Sequence, residues 1–504
     1  MTLASILSAD DKRPGTFLQV TLGVGATSAA DAPRLVLLCG NKTAAGTATV
    51  ATRYAVTSED DARTLFGAGS ELLLGCQAAF AVWPGVPLYA IAVAESGGTA
   101  ATGVLAASGT ATADGTIDVS YCGQTINVPI ASGTTAANVA VALEAALEDM
   151  TDWPLDKGTA MAAAANCTVT FIHKGPRGNR ASLRVVSNTP GITITGPATG
   201  YLTGGATPDN SQNALDAVAA LRHHYIVAAS DGEGASATPD TADLTRYRTH
   251  VNTYAGPDHG KRQVVIFGFG GTLADATTVA TGMNAARMQC VWQKKPEQLP
   301  LQIAAAAAAL RARHESSDPG VNLDDLIVSG IAPSYSPADW PTGANLKSAL
   351  NNGITPLRVS AGEQLLTRSI TTRSQDAAAN PSYSVLDTTK VTVPDFVADD
   401  FAVGVPAEFG AHGTTPGFKA GADDPDGDPP PDGVVTPLML KDWMYARLLG
   451  HEAAGLLEPG SVELRKSEIV VELAPAPAGR FNCSVPLDVI EGAHQFAIDV
   501  RQVA

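Results

Sequence analysis

Charge is scarce in this chain. Only 16% of its 504 residues are Asp, Glu, Lys or Arg, well below the usual quarter, and a surface so thinly charged suits one covered by neighbours rather than by water. Basic residues are the scarcer kind, 33 against 50 acidic ones, for a formal net charge of −17. A balance this acidic repels phosphate backbones and argues against nucleic acid as a partner. Cysteine is sparse too. Cys39, Cys76, Cys122, Cys167, Cys290 and Cys483 are scattered with no CxxC pair, which reads as a protein made in a reducing compartment and not as a disulfide scaffold. Long apolar runs are missing: the stretch from Leu301 to Leu310 is mostly alanine, too short and too weakly apolar to cross a bilayer. The first residues lack the basic-then-apolar pattern of a signal peptide. The expectation is a soluble chain, cytosolic when made, with no membrane insertion.

Apolar residues, at 45%, are ample for a core, and the length suggests about three or four domains. Their pattern predicts a multidomain α/β and α+β protein. Residues 1–33 read as an arm and linker: Phe17, Leu18, Val20 and Leu22 lie in a β-prone run, followed by small residues up to Pro33. A lone strand is not stable and must pair with something. Residues 34–95 begin an α/β core, with a strand at Leu35–Cys39, a helix opened by Ser58 and Asp61, a second capped by Ser70, and a strand at Leu88–Val93. Residues 96–205 have another texture, an inserted α+β domain with strands at Gly115–Tyr121, Gln124–Ile130, Cys167–His173, Ala181–Val186 and Gly191–Thr195 around one helix from Thr135. The strand–helix rhythm returns over 206–335, predicting a mostly parallel sheet with helices on both faces. Residues 336–490 read as a C-terminal α+β domain with a helix from Lys441 to Leu457 and an Asp/Pro-rich loop at 421–433. Residues 491–504 form a second arm, with Phe496, Ile498 and Val500 on one face.

Motifs that carry chemistry come close and fall short. Gly268-Phe269-Gly270-Gly271 follows a strand, but Leu273 stands where a dinucleotide fingerprint needs its third glycine. Gly40-Asn41-Lys42-Thr43 lacks the first half of a phosphate loop. In His451-Glu452-Ala453-Ala454-Gly455 a glycine replaces the second metal histidine. No GxSxG elbow occurs. Asp424, Asp426 and Asp428 alternate like calcium ligands without the closing Glu, and read as a solvated loop. His223-His224 are expected to sit at a helix end as dipole-favoured cations. Lys174, Arg177, Arg180 and Arg184 form a basic cluster that reads as a solvated turn, with an intermolecular contact as the other reading. Neither catalytic residues, nor a metal, nor a cofactor is called for, and the chain is expected not to be an enzyme.

Several segments resemble those of contractile-tail sheath proteins of Mu-like myophages. Leu65-Phe66-Gly67-Ala68-Gly69-Ser70 is similar to the family's early helix–turn–helix signature. Lys174-Gly175 with Gly178-Asn179, then Leu202-Thr203-Gly204-Gly205-Ala206, is similar to its inserted domain. Leu350-Asn351-Asn352-Gly353-Ile354-Thr355-Pro356-Leu357, then Thr367-Arg368-Ser369-Ile370-Thr371-Thr372, resembles its "GIT" turn and "R-x-I-T-T" strand. The 421–433 loop departs from the family.

The resemblance implies a structural subunit that polymerises helically around a tail tube and contracts to drive it through the host envelope. The arms (Phe17, Leu18, Val20, Leu22, Phe496, Ile498, Val500) would link subunits, the insertion would face outward, and Lys441 and Arg447 on a basic helix would face the tube. The implied partners are further copies of the chain, the tail tube protein, and baseplate and tail terminator proteins; the implied location is the virion tail after assembly in the host cytoplasm. The alternatives are another virion, baseplate or adhesin component, and a nucleotide-binding α/β enzyme.

Overall fold

A computed structural model describes residues 33–157, 162–230, 232, 240–410, 417–426, 429–475 and 479–494. The arm residues Phe17, Leu18, Val20, Leu22, Phe496, Ile498 and Val500 lie outside that set, as does Asp428. The fold is mixed α/β with several sheets.

The chain enters through β1 (Val36–Gly40), β2 (Arg53–Val56), α1 (Glu59–Phe66), α2 (Glu71–Val82) and β3 (Leu88–Ala92). Ser58 and Ser70 cap α1 and α2, accepting from the amides of Asp61 and Leu73, as their positions before apolar-periodic runs predict. An excursion follows: β4 (Ala100–Gly109), β5 (Gly115–Tyr121), β6 (Gln124–Ile130), α3 (Ala136–Glu148), β7 (Ala162–Ala163), β8 (Asn166–Lys174), β9 (Leu183–Ser187) and β10 (Ile192–Thr195). These strands form two sheets of their own, in the orders β10-β4-β8-β7 and β6-β5-β9, around one apolar core that includes Val139, Leu143 and Leu147 of α3. β4 had no counterpart in the sequence pattern, because AATGVLAASG is built of small residues with little strand preference.

The rhythm resumes with α4 (Gln212–Val218), β11 (Tyr225–Val227), α5 (Ala242–Tyr254), β12 (Val264–Phe269), α6 (Leu273–Met283), β13 (Met288–Trp292), α7 (Pro300–Glu315), β14 (Leu326–Ile327), α8 (Gly343–Asn351), β15 (Ile354–Ser360) and β16 (Glu363–Leu366). The nine strands outside the excursion from β1 to β16 make one sheet in the order β14-β16-β15-β13-β12-β11-β1-β3-β2. Its middle, from β15 to β3, is parallel throughout; the edges are antiparallel. The sheet thus runs past residue 335, because β15 pairs with β13 through Cys290–Ile354 and its neighbours. β15 and β16 form a hairpin turned at Ala361 and Gly362, both at positive φ.

Both faces of the sheet are covered, as parallel strands require. Val36 and Leu38 of β1 point to one core with Leu72, Leu73 and α7; Leu37 and Cys39 point to the other, with Leu215, Leu244 and Val279. α7 owes its alanine run to this position. Ala304 to Ala309 are all fully buried, between α2 and the sheet, where nothing larger than a methyl would let three layers close. Gly268 is needed for a similar reason: a Cβ there would come 2.0 Å from the Pro300 carbonyl oxygen.

The remaining elements are α9 (Thr389–Phe409), β17 (Lys419–Ala420), β18 (Val434–Val435), α10 (Pro437–Ala453), α11 (Ser461–Leu464), and the hairpin β19 (Val470–Leu473) and β20 (Phe481–Ser484). α9 was not foreseen, since Pro394 and Pro406 stand inside it where a helix normally breaks. Tertiary ion pairs hold it. Asp395 takes Arg287 in a two-pronged contact at 2.6 and 2.7 Å, both side chains buried, and Asp399 takes Arg262 at 2.8 Å and Arg222 at 2.6 Å.

Asp395→Ala leaves the buried Arg287 charge without its carboxylate and should lower stability by about 3–5 kcal/mol, read from urea unfolding. The paired replacement Arg287→Met with Asp395→Leu should recover most of that loss; equal damage from both would show that the ion pair is not what fastens α9.

Candidate functional site at the carboxy ends of the parallel strands

Open parallel sheets bind ligands in the crevice beyond the carboxy ends of their strands, where successive connections leave in opposite directions. In this chain that crevice lies beyond β1, β3, β11 and β12, and a side chain from the excursion fills it. Arg177, on the short turn Pro176–Arg180, sends its guanidinium to Glu71 at the start of α2, to Asn41 just after β1, to Asp209 where the chain re-enters the core, and to the Ala229 carbonyl oxygen at 2.9 Å. Asn41 Nδ2 donates to Asp209 Oδ2 at 2.9 Å, and Asp209 Oδ1 accepts from the Ser96 amide at 2.6 Å. One carboxylate therefore ties the outgoing and returning linkers of the excursion to the same arginine. Burial alone would favour a neutral guanidine, but Glu71 and Asp209 outweigh it and hold Arg177 firmly charged.

The surroundings close the crevice further. His173 Nε2 accepts the Glu71 amide at 3.3 Å while Nδ1 lies 3.4 Å from Glu95 Oε1, and this contact with His173 holds the Glu95 carboxyl below its usual range. Ser211 binds Asp243 through its amide and hydroxyl at 2.9 and 2.7 Å, and Tyr247 joins Ser211 to the Ala229 amide. The cavity left beside Glu71, Arg177 and Gly268 measures about 10 Å³, room for one water at most. The Gly268–Gly271 turn is covered as well. Arg180 lies 5.1 Å over the Phe269 ring, and a Cβ on Gly270 would meet Pro296 at 2.9 Å. Lys42 spends its ammonium on the carbonyls of Thr43 and Gly46 at 3.2 and 3.0 Å. Among the described residues, this crevice holds no space for a nucleotide.

Apart from the exposed Lys174, the basic cluster is thus not a solvated turn. It is the joint between excursion and core: Arg184 Nε reaches Glu297 at 3.1 Å, and Ser182 and Tyr201 donate to the carbonyls of Glu297 and Pro296, both at 2.8 Å. Sequence reasoning found the cations and missed their partners. The available signal was that Glu95 and Asp209 flank the excursion in the sequence.

The histidine pair also differs from expectation. His223 and His224 sit on the approach to β11 rather than at a helix end. Burial pushes the pKa of His223 down to about 3 and that of His224 to about 2, so both are neutral. His224 Nδ1 accepts the Leu35 amide at 3.0 Å, and His223 Nε2 faces the Arg53 guanidinium at 3.2 Å.

On α10, Arg447 pairs with Asp400 of α9 and lies 5.1 Å over Trp443, and His451 Nε2 stands 3.1 Å from Asp400. Lys441 is half-buried on the same helix. Asp424 and Asp423 accept the amides of Asp426 and Leu438, at 2.8 and 2.9 Å. Among the described residues, no group of three or more His, Cys, Asp or Glu gathers as metal ligands, and no helix is long and apolar enough to cross a membrane.

The geometry defines a mixed α/β scaffold in which the excursion covers the crevice beyond the carboxy ends of the parallel strands. No protein-family model matches the chain. A curated relative, the tail sheath protein of the Mu-like prophage FluMu in Haemophilus influenzae, is 26% identical over 432 residues, 84% of this chain and 84% of that one. The resemblance to contractile-tail sheath proteins read from the motifs is therefore matched by similarity along most of both chains. Among solved structures, the sheath tail proteins of Desulfitobacterium hafniense and Listeria innocua superpose with TM-scores of 0.46 and 0.47 at 14% and 12% identity, covering 93% and 91% of this chain and 100% and 96% of theirs. The contracted sheath of an extracellular contractile injection system gives 0.47 at 11% identity, covering 100% and 99%.

Arg177→Ala should leave Glu71 and Asp209 facing each other unneutralised and cost about 3–5 kcal/mol, with protease cleavage appearing first at the seams near residues 96 and 205. An unchanged cleavage pattern and melting temperature would show that the joint is held elsewhere. Acid should also weaken the fold through His223. Its folded pKa lies below the unfolded value, so the unfolded chain binds the extra proton and stability falls with pH by about 1.4 kcal/mol per unit between about 6.5 and 3. His223→Gln should reduce the measured slope by about that amount in urea titrations across the same window, leaving the share that His224 contributes.

Proposed function

We propose that this chain is the structural subunit of a contractile phage tail sheath, polymerising helically around a tail tube and contracting to drive the tube through the host envelope. The observation that carries the reading is the 26% identity with a prophage tail sheath protein over 84% of both chains. The closed crevice supports it, since such a subunit works by changing neighbours rather than substrates.

Several surfaces suit polymer contacts. The β19–β20 hairpin has four residues per strand and no third strand among the described residues, and so small a ribbon is marginal alone. Its open edges suit a strand donated by a neighbour, which would satisfy backbone groups along its length. Val403 on α9 and Leu464 on α11 are 72% and 80% exposed and would be covered by a neighbouring subunit in this reading. Arms given head-to-tail make heterologous contacts that propagate into a helix. In this reading the terminal arms link subunits, the 96–205 excursion faces outward, and Lys441, beside the Asp400-bound Arg447, faces the tube. Tube, baseplate and terminator proteins are the other partners, in a virion tail assembled in the host cytoplasm. Contraction draws on two packings of the same subunits that differ in buried contact, with no nucleotide consumed.

Expressed alone and viewed by negative-stain electron microscopy, the full chain should form hollow tubes with striated walls, and deletion of residues 1–22 should leave only monomers and short oligomers. With tail tube protein added, Lys441→Glu should lower its co-sedimentation severalfold. Tubes from the deleted chain would remove the arm's role, and monomers of the full chain even with tube protein present would remove the sheath reading.

A further inference from the structure

Beyond the carboxy end of β13 the chain is crossed by the loop that leads to α8. Ser334 Oγ donates to the Lys294 carbonyl at 2.5 Å, and Gln293 Nε2 to the Ala332 carbonyl at 2.8 Å. This strap presents Tyr335 and Trp340, which are 60% and 36% exposed. The Trp340 indole N–H is taken by the Ser334 carbonyl at 3.0 Å, and the Arg184 guanidinium lies 4.8 Å from the centre of the Tyr335 ring. Lys294 and Lys295 share one carboxylate, that of Asp339, at 2.9 and 3.3 Å, while Arg184 has Glu297. Three cations stand here against two carboxylates, an aromatic and net positive patch on a chain whose net charge is −17.

The Asp/Pro-rich loop between β17 and β18 has the complementary chemistry. Asp424, Pro425, Asp426, Pro431 and Asp432 are all exposed. Consecutive prolines at Pro429-Pro430-Pro431 favour the polyproline II backbone, a shape that aromatic faces receive. The loop belongs to the unit of α9 and α10, which Arg222, Arg262 and Arg287 fasten just ahead of β11, β12 and β13. The patch instead follows the carboxy end of β13, whose five residues put about 16 Å between the two ends. One subunit therefore carries the loop and the patch toward opposite ends of its parallel strands, the placement that a head-to-tail contact between copies requires.

We propose that the Tyr335–Trp340 patch receives the Asp/Pro-rich loop of a second copy of this chain. The prolines lie on the two aromatic faces, and Asp424 and Asp426 meet Lys294 and Lys295. The contact deepens the reading of the chain as a polymer-forming subunit, on which it rests, by adding a junction between globular bodies that is separate from the terminal arms.

The test is disulfide trapping between full chains, with Cys483→Ser removing the exposed thiol. One chain carries Ala338→Cys, between the two aromatic residues, and the other Pro425→Cys; both positions are exposed. Mixed in solution, they should cross-link at least ~10-fold faster than Ala338→Cys mixed with Gly282→Cys on α6, a position open to a Cβ, because docking raises the effective concentration. Lys294→Glu with Lys295→Glu should slow the cross-link about tenfold, and Asp424→Lys with Asp426→Lys in the partner should restore it. A rate no higher than that of the Gly282→Cys control would overturn the contact, and tubes in the same mixture would then leave the sheath reading standing. A fast cross-link without tubes would uphold the contact and count against the helical assembly. A chain bearing both cysteines that closes the bond within itself at high dilution would overturn the head-to-tail arrangement.

Discussion

A guanidinium keeps its charge when buried, so it is tolerated only where carboxylates offset the lost water, and this chain uses that demand to join its parts. Arg177 draws Glu71, Asp209 and Asn41 together and so locks the excursion onto the core. Arg287, Arg262 and Arg222 hold Asp395 and Asp399 and so bolt α9 to the sheet. Asp400, the next residue along α9, takes Arg447 and His451 and carries α10 with it. Arg311, fully buried in α7, pairs with Glu315 and reaches Gln289 of β13 at 2.9 Å. Such pairs add little net stability over apolar packing, but removing one partner is costly, which makes them joints that hold one geometry or fail.

The joints are laid over a sheet that needs no help from charge. Six parallel strands are covered on both faces, and α7 passes beneath them with an alanine-only middle. A stiff, buried centre with specific polar joints at its margins is suited to a subunit that must move as a body. Arg34, at the start of the described residues, is fastened to Ser316 and Phe396 at α7 and α9, the two helices that also hold the buried arginine pairs. The likeness to a prophage tail sheath protein fits this construction: a block whose ligand crevice is spent on internal bracing, with apolar surface left at Val403 and Leu464.

How much of this was legible in the sequence depended on whether a feature is local. β5 and β6 begin and end at the residues their alternation predicts, and α1, α2 and α3 start at Ser58, Ser70 and Thr135 because caps act within one turn. β4 was hidden by its small residues, and α9 by two prolines that would end a helix with nothing beside it. The histidine pair was misplaced because its neutrality comes from burial beneath Arg53, Tyr89 and Leu35, residues far away in the chain.

The sequence by itself determined the alternation of strands and helices, the change of texture between 96 and 205, the scarcity of surface charge, and the motifs shared with tail sheath proteins. Each is set by composition or by spacing over a few residues, where backbone geometry leaves little choice. Only the tertiary structure decided which carboxylate meets which arginine and that the crevice at the strand ends is filled from within. Those outcomes join residues tens to hundreds of positions apart, such as Arg34 with Ser316 or Arg287 with Asp395. Burial, not sequence spacing, selects them, because a charge removed from water has to find its partner wherever the fold places one.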